Sequence, residues 1–268
     1  MVVKIDNSTS SSPQLGLGKA DLVTEELVEG GTTRLAVFFH SQLPKVAGPV
    51  RSMRATDIGI VGPAEAVLVA SGGAPPTVRR VAQAGIKTFT EGAPGYFRET
   101  SRTAPYDLMT RVPELAASLK PPAQPSADYL TWGAETDFPK GRPARRVSVK
   151  FSDAHTTSWS YSGDTYTNLD GYASAADQFE PDTVLVLRVK VGDAGYRDPG
   201  GNPVPETKFT GTGEAMVFRN GRVVRGTWAK AGLDAELSLR TEAGELAMPP
   251  GKVWTELVPA GAGSVSIG

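Results

Sequence analysis

The sequence lacks cysteine and has only two histidines, which limits the kinds of site that it can form. Without cysteine there is no disulfide framework, no thiolate metal site and no cysteine nucleophile. His40 and His155 are too few for the histidine-rich sites that usually hold zinc. We therefore expect neither a metal nor another cofactor.

The chain also lacks an excess of charge of one sign and a long apolar run. Its 28 Lys and Arg residues balance 29 Asp and Glu residues, for a formal net charge of −1. Nonspecific binding of nucleic acid or of an anionic membrane needs a basic excess, so neither partner is expected. No apolar run is long enough to span a bilayer. The 268 residues are enough for one large domain or two ordinary domains.

The first half of the chain alternates apolar runs with helical patterns. Residues 2–5, 22–28 and 34–39 are rich in β-branched and large apolar residues, which predicts strands. The stretch AVLVASGGAPPTVRRVAQAGIKTFTEG predicts a strand, a glycine turn, a helix that ends at Gly85, and a second strand. This β-α-β pattern indicates a mixed α/β layer domain over residues 1–118.

A change of composition divides the chain after this region. LKPPAQPSAD, residues 119–128, is proline-rich and polar, as is typical of a linker. Residues 129–268 contain short apolar runs between turn residues, and Asn220-Gly221 predicts a hairpin because a type I′ turn needs two residues that tolerate positive φ. We therefore predict an α+β fold, in which the mixed α/β domain is followed by a β-rich C-terminal domain.

The stretch GPVRSMRATD, residues 48–57, is the strongest candidate for a ligand site. A helix that begins at Pro49 and extends over GPVRSMRATDIGI would place Arg51 and Arg54 one turn apart on one face. Arg34, on a neighbouring strand, could add a third guanidinium. Each guanidinium can bind two oxygens of a phosphate, sulfate or carboxylate, so the three together predict an anion site.

Glycines before Arg34 could let the backbone approach such a ligand closely. Gly30 and Gly31 fill this role in the predicted site. The alternative for the arginines is structural, since Arg51 or Arg54 could instead pair with an acidic residue. The candidates for this pairing are Glu29, Asp21 and Asp57.

Catalysis would need other groups from the same part of the chain. Glu29 and Asp57 could form an acid/base pair for glycoside hydrolysis, although binding to N–H groups or arginines is the commoner use of such carboxylates. His40 could act as a general base, or it could be a structural histidine at the end of a strand. Ser71-Gly72-Gly73 matches no phosphate-binding motif, and we interpret it as a connecting turn.

Motifs in both halves of the chain are similar to those of a known family. They are KIDNS, PQLGLGKADLVTEE, VEGGTTRLAVFFHS and GPVRSMRATD in the first half, and GTGEAMVFRNGRVVRGTW and PGKVWTELVP in the second. They resemble the YerB-like bacterial lipoproteins, which carry the N- and C-terminal domains of unknown function 3048. The chain departs from that family at Tyr106 and Asp107, where the family has His-Asn.

The resemblance implies an extracytoplasmic protein held to the membrane by a lipid anchor, with a signal peptide and a lipidated cysteine outside this sequence. It implies no activity. Together with the arginines, it predicts a noncatalytic protein that binds an anionic component of the cell envelope, such as a cell-wall polymer or a phosphorylated sugar. The alternatives are a hydrolase or transferase that uses Glu29 and Asp57 on the same material, and a protein-interaction scaffold.

Overall fold

The computed structural model describes residues 1–119 and 129–268, in which β-strands make up most of the regular structure. The strands are β1 (Val2–Asn7), β2 (Leu22–Leu27), β3 (Thr33–Phe38), β4 (Leu68–Val69), β5 (Thr88–Phe89), β6 (Tyr96–Arg98), β7 (Leu108–Thr110), β8 (Arg142–Pro143), β9 (Arg146–Lys150), β10 (Thr156–Ser162), β11 (Thr165–Asn168), β12 (Thr183–Arg197), β13 (Pro203–Lys208), β14 (Gly211–Arg219), β15 (Arg222–Lys230), β16 (Ser238–Thr241), β17 (Gly244–Glu245), β18 (Val253–Pro259) and β19 (Ser264–Ile267). The α-helices are α1 (Asp57–Val61), α2 (Pro75–Gln83) and α3 (Val112–Ala117).

One large sheet contains strands from both halves of the chain. Its main path runs β17-β16-β15-β14-β12-β18-β2-β3-β1-β4-β5, with β13 paired to β12 and β8 to β15. The halves meet where β18 pairs in parallel with β2, from Val253 opposite Leu22 to Leu257 opposite Glu26. A second sheet has the order β11-β10-β9-β19. The chain is therefore largely β.

The large sheet is covered on both faces, so its central strands are almost fully buried. On one face, Ile5 and Val23 belong to a core that includes Val147 and Trp159 of the second sheet. On the other face, Ala36 belongs to a core that includes residues of α1 and α2. Polar residues on these strands must therefore find partners inside the protein, because water cannot reach them.

Several of the predicted elements are confirmed by the structure. Strands β1, β2 and β3 occupy the predicted segments, and β4, α2 and β5 form the predicted β-α-β unit, in which the two strands pair in parallel. The Asn220-Gly221 hairpin joins β14 to β15, and both turn residues have positive φ. In the described part of residues 1–118, however, the helices are short, so the mixed α/β character extends little beyond this unit.

The helix predicted for residues 48–60 is wrong over most of its length, because α1 begins only at Asp57. The preceding segment is extended, and its backbone hydrogen bonds go to neighbouring elements instead of along a helix. The amide of Val50 donates to the carbonyl of Leu108 over 2.7 Å, and the amide of Arg51 to that of Lys4 over 2.9 Å. Arg51 and Arg54 consequently do not lie on a helix face.

The domain limits at residues 1–118 and 129–268 stay a prediction. Except for residue 119, the predicted linker lies outside the described residues. The continuous pairing from β12 through β18 to β3 shows that residues on both sides of that segment contribute to the same sheet.

Candidate functional site

Strand β3 places Arg34 on the same face of the large sheet as Ala36, the face that packs against α1 and α2. Arg34 lies opposite Asp6 on β1 and opposite Glu26 on β2, and only 5% of its surface is exposed. Its guanidinium donates to Glu29 over 3.2 Å and to the carbonyl of Ser52 over 3.0 Å. Among the described residues, its Nε has no hydrogen-bond partner. This buried cation therefore keeps an unused donor.

The extended segment before α1 brings Arg54 to the same place. Its Nε donates to Glu29 over 2.9 Å, and its Nη2 contacts the other oxygen of that carboxylate. Its Nη1 donates to the carbonyl of Met53 over 2.8 Å. Glu29 is thus shared between Arg34 and Arg54, and Arg54 is held almost completely by internal partners.

Arg51 is less firmly held than the other two arginines. Its Nε lies 3.5 Å from a carboxylate oxygen of Asp6, and its Nη1 lies 3.4 Å from the carbonyl oxygen of Pro105. Its guanidinium lies over the ring of Tyr106, 5.0 Å from the ring centroid. The side chain remains 19% exposed. Arg51 can therefore contact a ligand without losing a strong internal bond.

All three arginines line one cavity, which we call the arginine cavity. Its volume is about 400 Å³. The remaining lining residues are Glu29, Ser52, residues 71–74, residues 196–199 and Val204. The Ser71-Gly72-Gly73 turn is thus part of the cavity wall as well as the connection into α2. Because α2 begins with two prolines, which have no N–H, the first two residues of the helix offer no backbone donors to the cavity.

The outer wall of the arginine cavity belongs to the hairpin of β12 and β13. A 2.8 Å hydrogen bond joins the hydroxyls of Tyr196 and Thr77. Arg80 on α2 binds both carboxylate oxygens of Glu206 over 2.9 and 2.7 Å. These contacts fix the hairpin to α2, so that residues from both halves of the chain enclose the cavity.

The charges in the cavity are only partly compensated. Burial opposes the charge of Glu29, but the hydrogen bond from Arg54 and the charges of Arg34 and Arg54 outweigh it and lower the pKa of Glu29. Burial, followed by the charge of Arg54, lowers the pKa of Arg34 to about 10. Glu29 is therefore ionised and Arg34 protonated near neutral pH, and an added anion would stabilise the buried guanidinium.

Asp57 does not share the cavity with Glu29. It is fully buried, and its Oδ1 lies 2.8 Å from Nζ of Lys4, which also binds Glu26 over 2.6 Å. Its Oδ2 accepts the backbone amide of Arg54 over 2.7 Å. The predicted acid/base pair is therefore not assembled in this geometry, and Asp57 serves as a buried partner of a lysine.

His40 and the two glycines also lie outside the wall of the arginine cavity. His40 is exposed and lines a different cavity, while Asp21 accepts its backbone amide over 2.7 Å. Gly30 and Gly31 have φ of 72° and 74° and form the turn that carries Glu29. Their observed role is to shape that turn, and backbone contact with a ligand stays a prediction.

The two halves of the chain match the two models of one family. Residues 1–123 match the N-terminal domain described as "Protein of unknown function (DUF3048)", and residues 147–255 match its C-terminal domain. The chain belongs to the DUF3048 family. This confirms the resemblance noted from the motifs.

A named protein and a solved structure are similar to this chain in sequence and in fold. The chain is 22% identical to "Putative lipoprotein YerB" of Bacillus subtilis (strain 168) over 97% of this chain and 81% of that protein. The crystal structure of YerB protein from Bacillus subtilis superposes with a TM-score of 0.80 at 20% identity, covering 99% of this chain and 93% of that one. At this identity the structural likeness shows a common fold.

This DUF3048 chain also contains a buried polar cluster that the sequence did not lead us to predict. Glu25 on β2 accepts hydrogen bonds from Thr33 and Asn7 over 2.7 and 2.9 Å, and lies 2.6 Å from Nε2 of His155. The neighbouring Glu256 on β18 accepts a 2.8 Å bond from Trp159. The sequence signal was the pair of adjacent glutamates in the strand segment LVTEEL. Neighbouring side chains of a strand point to opposite faces, so in a sheet with one buried face at least one of the two glutamates must be buried.

Proposed function

We propose that this protein is an extracytoplasmic lipoprotein that binds an anionic component of the cell envelope in the arginine cavity, without catalysing a reaction. The observation that carries the proposal is Arg34. Its guanidinium is buried at the wall of an open cavity, and among the described residues its Nε has no hydrogen-bond partner. Leaving a charged donor unsatisfied in a buried place costs about 1–3 kcal/mol, which a bound anion would recover.

The geometry suits a small acidic ligand. A cavity of about 400 Å³ is within the range of pockets that hold small molecules. Arg34 keeps an unused Nε and Arg51 makes only long internal contacts, and the hydroxyls of Ser52 and Ser71, 3.3 Å apart, belong to residues that line the same cavity. Guanidiniums bind carboxylate and phosphate oxygens, while hydroxyls bind the hydroxyls of a sugar or polyol. An acidic sugar unit of an envelope polymer matches this combination.

The proposed location comes from the family. The similar protein of Bacillus subtilis carries the word lipoprotein in its name, and we extend that property to this chain. In the described ranges, no helix is long and apolar enough to cross a membrane. In this proposal the membrane attachment is a lipid anchor, and the near-neutral net charge of −1 gives no support for nucleic acid as a partner.

The two alternatives have less support from the geometry. The hydrolase or transferase predicted from the sequence uses Glu29 and Asp57 together, whereas Asp57 is buried against Lys4 and does not line the arginine cavity. A scaffold needs a continuous apolar surface. In the described ranges, the large hydrophobic residues that are exposed are Leu43, Val78 and Leu169, and they belong to three separate segments.

Calorimetric titration of the purified chain with two sugars tests the proposal. We expect glucuronate to bind and neutral glucose of similar size not to bind. Arg51→Gln, at a partly exposed position, should weaken glucuronate binding about tenfold, because one charge-assisted hydrogen bond contributes about 1.5 kcal/mol. Arg79→Gln, at an exposed arginine outside the cavity, is the matched control. Equal binding of glucose, or an unchanged affinity of Arg51→Gln, would refute anion binding here.

A further inference from the structure

The internal carboxylates of the arginine cavity neutralise most, but not all, of its positive charge. Three guanidiniums contact two carboxylates, since Glu29 pairs with Arg34 and Arg54 and Asp6 pairs with Arg51. From the hairpin, Arg197 and Asp198 add one charge of each sign. The set therefore has an excess of one positive charge, and a ligand with a single negative charge balances it.

Glu29 occupies the decisive position in this balance. It contacts both Arg34 and Arg54, and 14% of its side chain is exposed, so its charge also acts on any ligand in the cavity. At a separation of 4 Å and an effective dielectric constant of 20, two like charges repel by about 4 kcal/mol. A second negative charge on the ligand would face this repulsion without a further unpaired guanidinium to offset it.

We infer that Glu29 sets the charge of the ligand, so that the cavity accepts singly charged anions and disfavours dianionic phosphate monoesters. This inference rests on the proposed function, because it concerns the selectivity of the same cavity. The chemical class is a monoanion, which in the cell envelope can be a carboxylate or a phosphodiester. Glu29 is in this view a residue that determines specificity, and it need not contact the ligand directly.

The hydrogen bonds of the three arginines support this role of Glu29 in selecting a singly charged ligand. Arg54 uses Nε and Nη2 on this carboxylate and Nη1 on backbone carbonyls, so it is poorly placed to receive a second anion. The spare donors are instead Nε of Arg34 and the weakly held guanidinium of Arg51. Two guanidiniums that each keep an internal carboxylate partner match one added negative charge better than two.

Titration with ligands of different charge tests the inference. Glucuronate and dimethyl phosphate each carry one negative charge, whereas glucose 6-phosphate carries nearly two at pH 7.5, since its second pKa is about 6. We expect the wild-type chain to prefer glucuronate to glucose 6-phosphate. Glu29→Gln, which keeps the size and one oxygen of the side chain, should shift the ratio of the two affinities at least about tenfold toward the dianion. Glu242→Gln, at an exposed glutamate outside the cavity, should leave the ratio unchanged.

The outcomes separate this inference from the proposed function. Binding of glucuronate with an unchanged ratio in Glu29→Gln would overturn the inference and leave anion binding intact. Tighter binding of glucose 6-phosphate than of glucuronate by the wild-type chain would overturn it even if the variant failed to fold. No binding of any anion would overturn both. The dimethyl phosphate titration shows whether the preferred monoanion is a phosphodiester or a carboxylate.

Discussion

Glu25 and Glu256 occupy paired positions on the adjacent parallel strands β2 and β18, and both are fully buried. Burial, together with the charge of Glu25, raises the pKa of Glu256 well above its ordinary value. Burial also opposes the charge of Glu25, but the charge and hydrogen bond of His155 outweigh it and lower the pKa of Glu25. Glu256 thus holds a proton while Glu25 is ionised, which lets the two side chains lie together between the sheets.

The different protonation of the two glutamates predicts different effects of the same substitution. Glu25→Gln removes the charge partner of His155 and should lower the free energy of unfolding by roughly 3 kcal/mol. Glu256→Gln replaces an already neutral group and keeps an oxygen for Trp159, so the loss should stay within about 1 kcal/mol. Urea denaturation at pH 7 measures both. Equal losses in the two variants would contradict the assignment of the proton.

The shifted pKa of His155 predicts that the free energy of unfolding depends on pH. Burial lowers the pKa of His155, but the charge of Glu25 outweighs burial, with smaller help from Asp170, and the net pKa is raised. A raised pKa means that the contribution is complete below the unfolded value of about 6.5 and is lost as the pH rises through the folded value. The raised pKa of Glu256 acts in the same direction.

The measurement is the difference in free energy of unfolding between the wild-type chain and His155→Gln as the pH rises from 6 to 9. We expect this difference to decrease, because only the wild-type chain loses the bound proton. His40→Gln, at an exposed histidine, is the control and should follow the wild-type curve. A difference that is constant or that grows with pH would show that His155 is neutral in the folded protein.

Alanine substitutions at the two glycines of the turn that carries Glu29 should lower the free energy of unfolding by different amounts. Both have φ near +70°, a conformation that costs a residue with a Cβ about 1 kcal/mol. A Cβ at Gly31 would also lie 2.9 Å from Oγ of Ser152, whereas one at Gly30 would meet nothing within 4 Å. Gly31→Ala should therefore lose about 2 kcal/mol of unfolding free energy, and Gly30→Ala about 1 kcal/mol. Chemical denaturation gives both values, and the reverse order would contradict the packing against Ser152.

The buried ion pairs of Lys4 predict a large loss of unfolding free energy when this cation is removed. Burial opposes its charge, but Asp57 and Glu26 outweigh burial and raise its pKa. Lys4→Met would leave two buried carboxyls without their cation and should lower the free energy of unfolding by about 3–5 kcal/mol. The exposed Lys45→Met should change it by less than about 0.5 kcal/mol. The loss should shrink at pH 5, because burial raises the pKa of Glu26 and a proton can then neutralise it, and a loss independent of pH would argue for packing instead of charge.

The elements that the sequence predicted correctly are those whose signals are local. The apolar runs that became β1, β2 and β3 are patterns within a few residues, and Asn220-Gly221 carries its turn preference in its own backbone. The helix over residues 48–60 was wrong because the amides of Val50 and Arg51 bond to strands far away in the sequence. A local pattern contains no information about such partners.

The candidate site was predicted in part. Arg34, Arg51 and Arg54 line one cavity, as their clustering in two nearby motifs led us to expect, although the geometry is not that of a helix face. The outer wall was not predicted, because the hairpin with Tyr196 is over 140 residues away from Arg54 in the sequence. Whether the arginines bind a ligand stays a prediction.

The sequence by itself determined the β-rich second half, the family and the residues from which a site could be built, because composition, periodicity and motifs are properties of neighbouring residues. The tertiary structure alone decided which charges meet. Glu29 pairs with two arginines, Asp57 with Lys4 and Glu25 with His155, although all three are acidic residues between positions 25 and 57. Pairing depends on distance and burial, and both are set only when strands from the two halves join in one sheet.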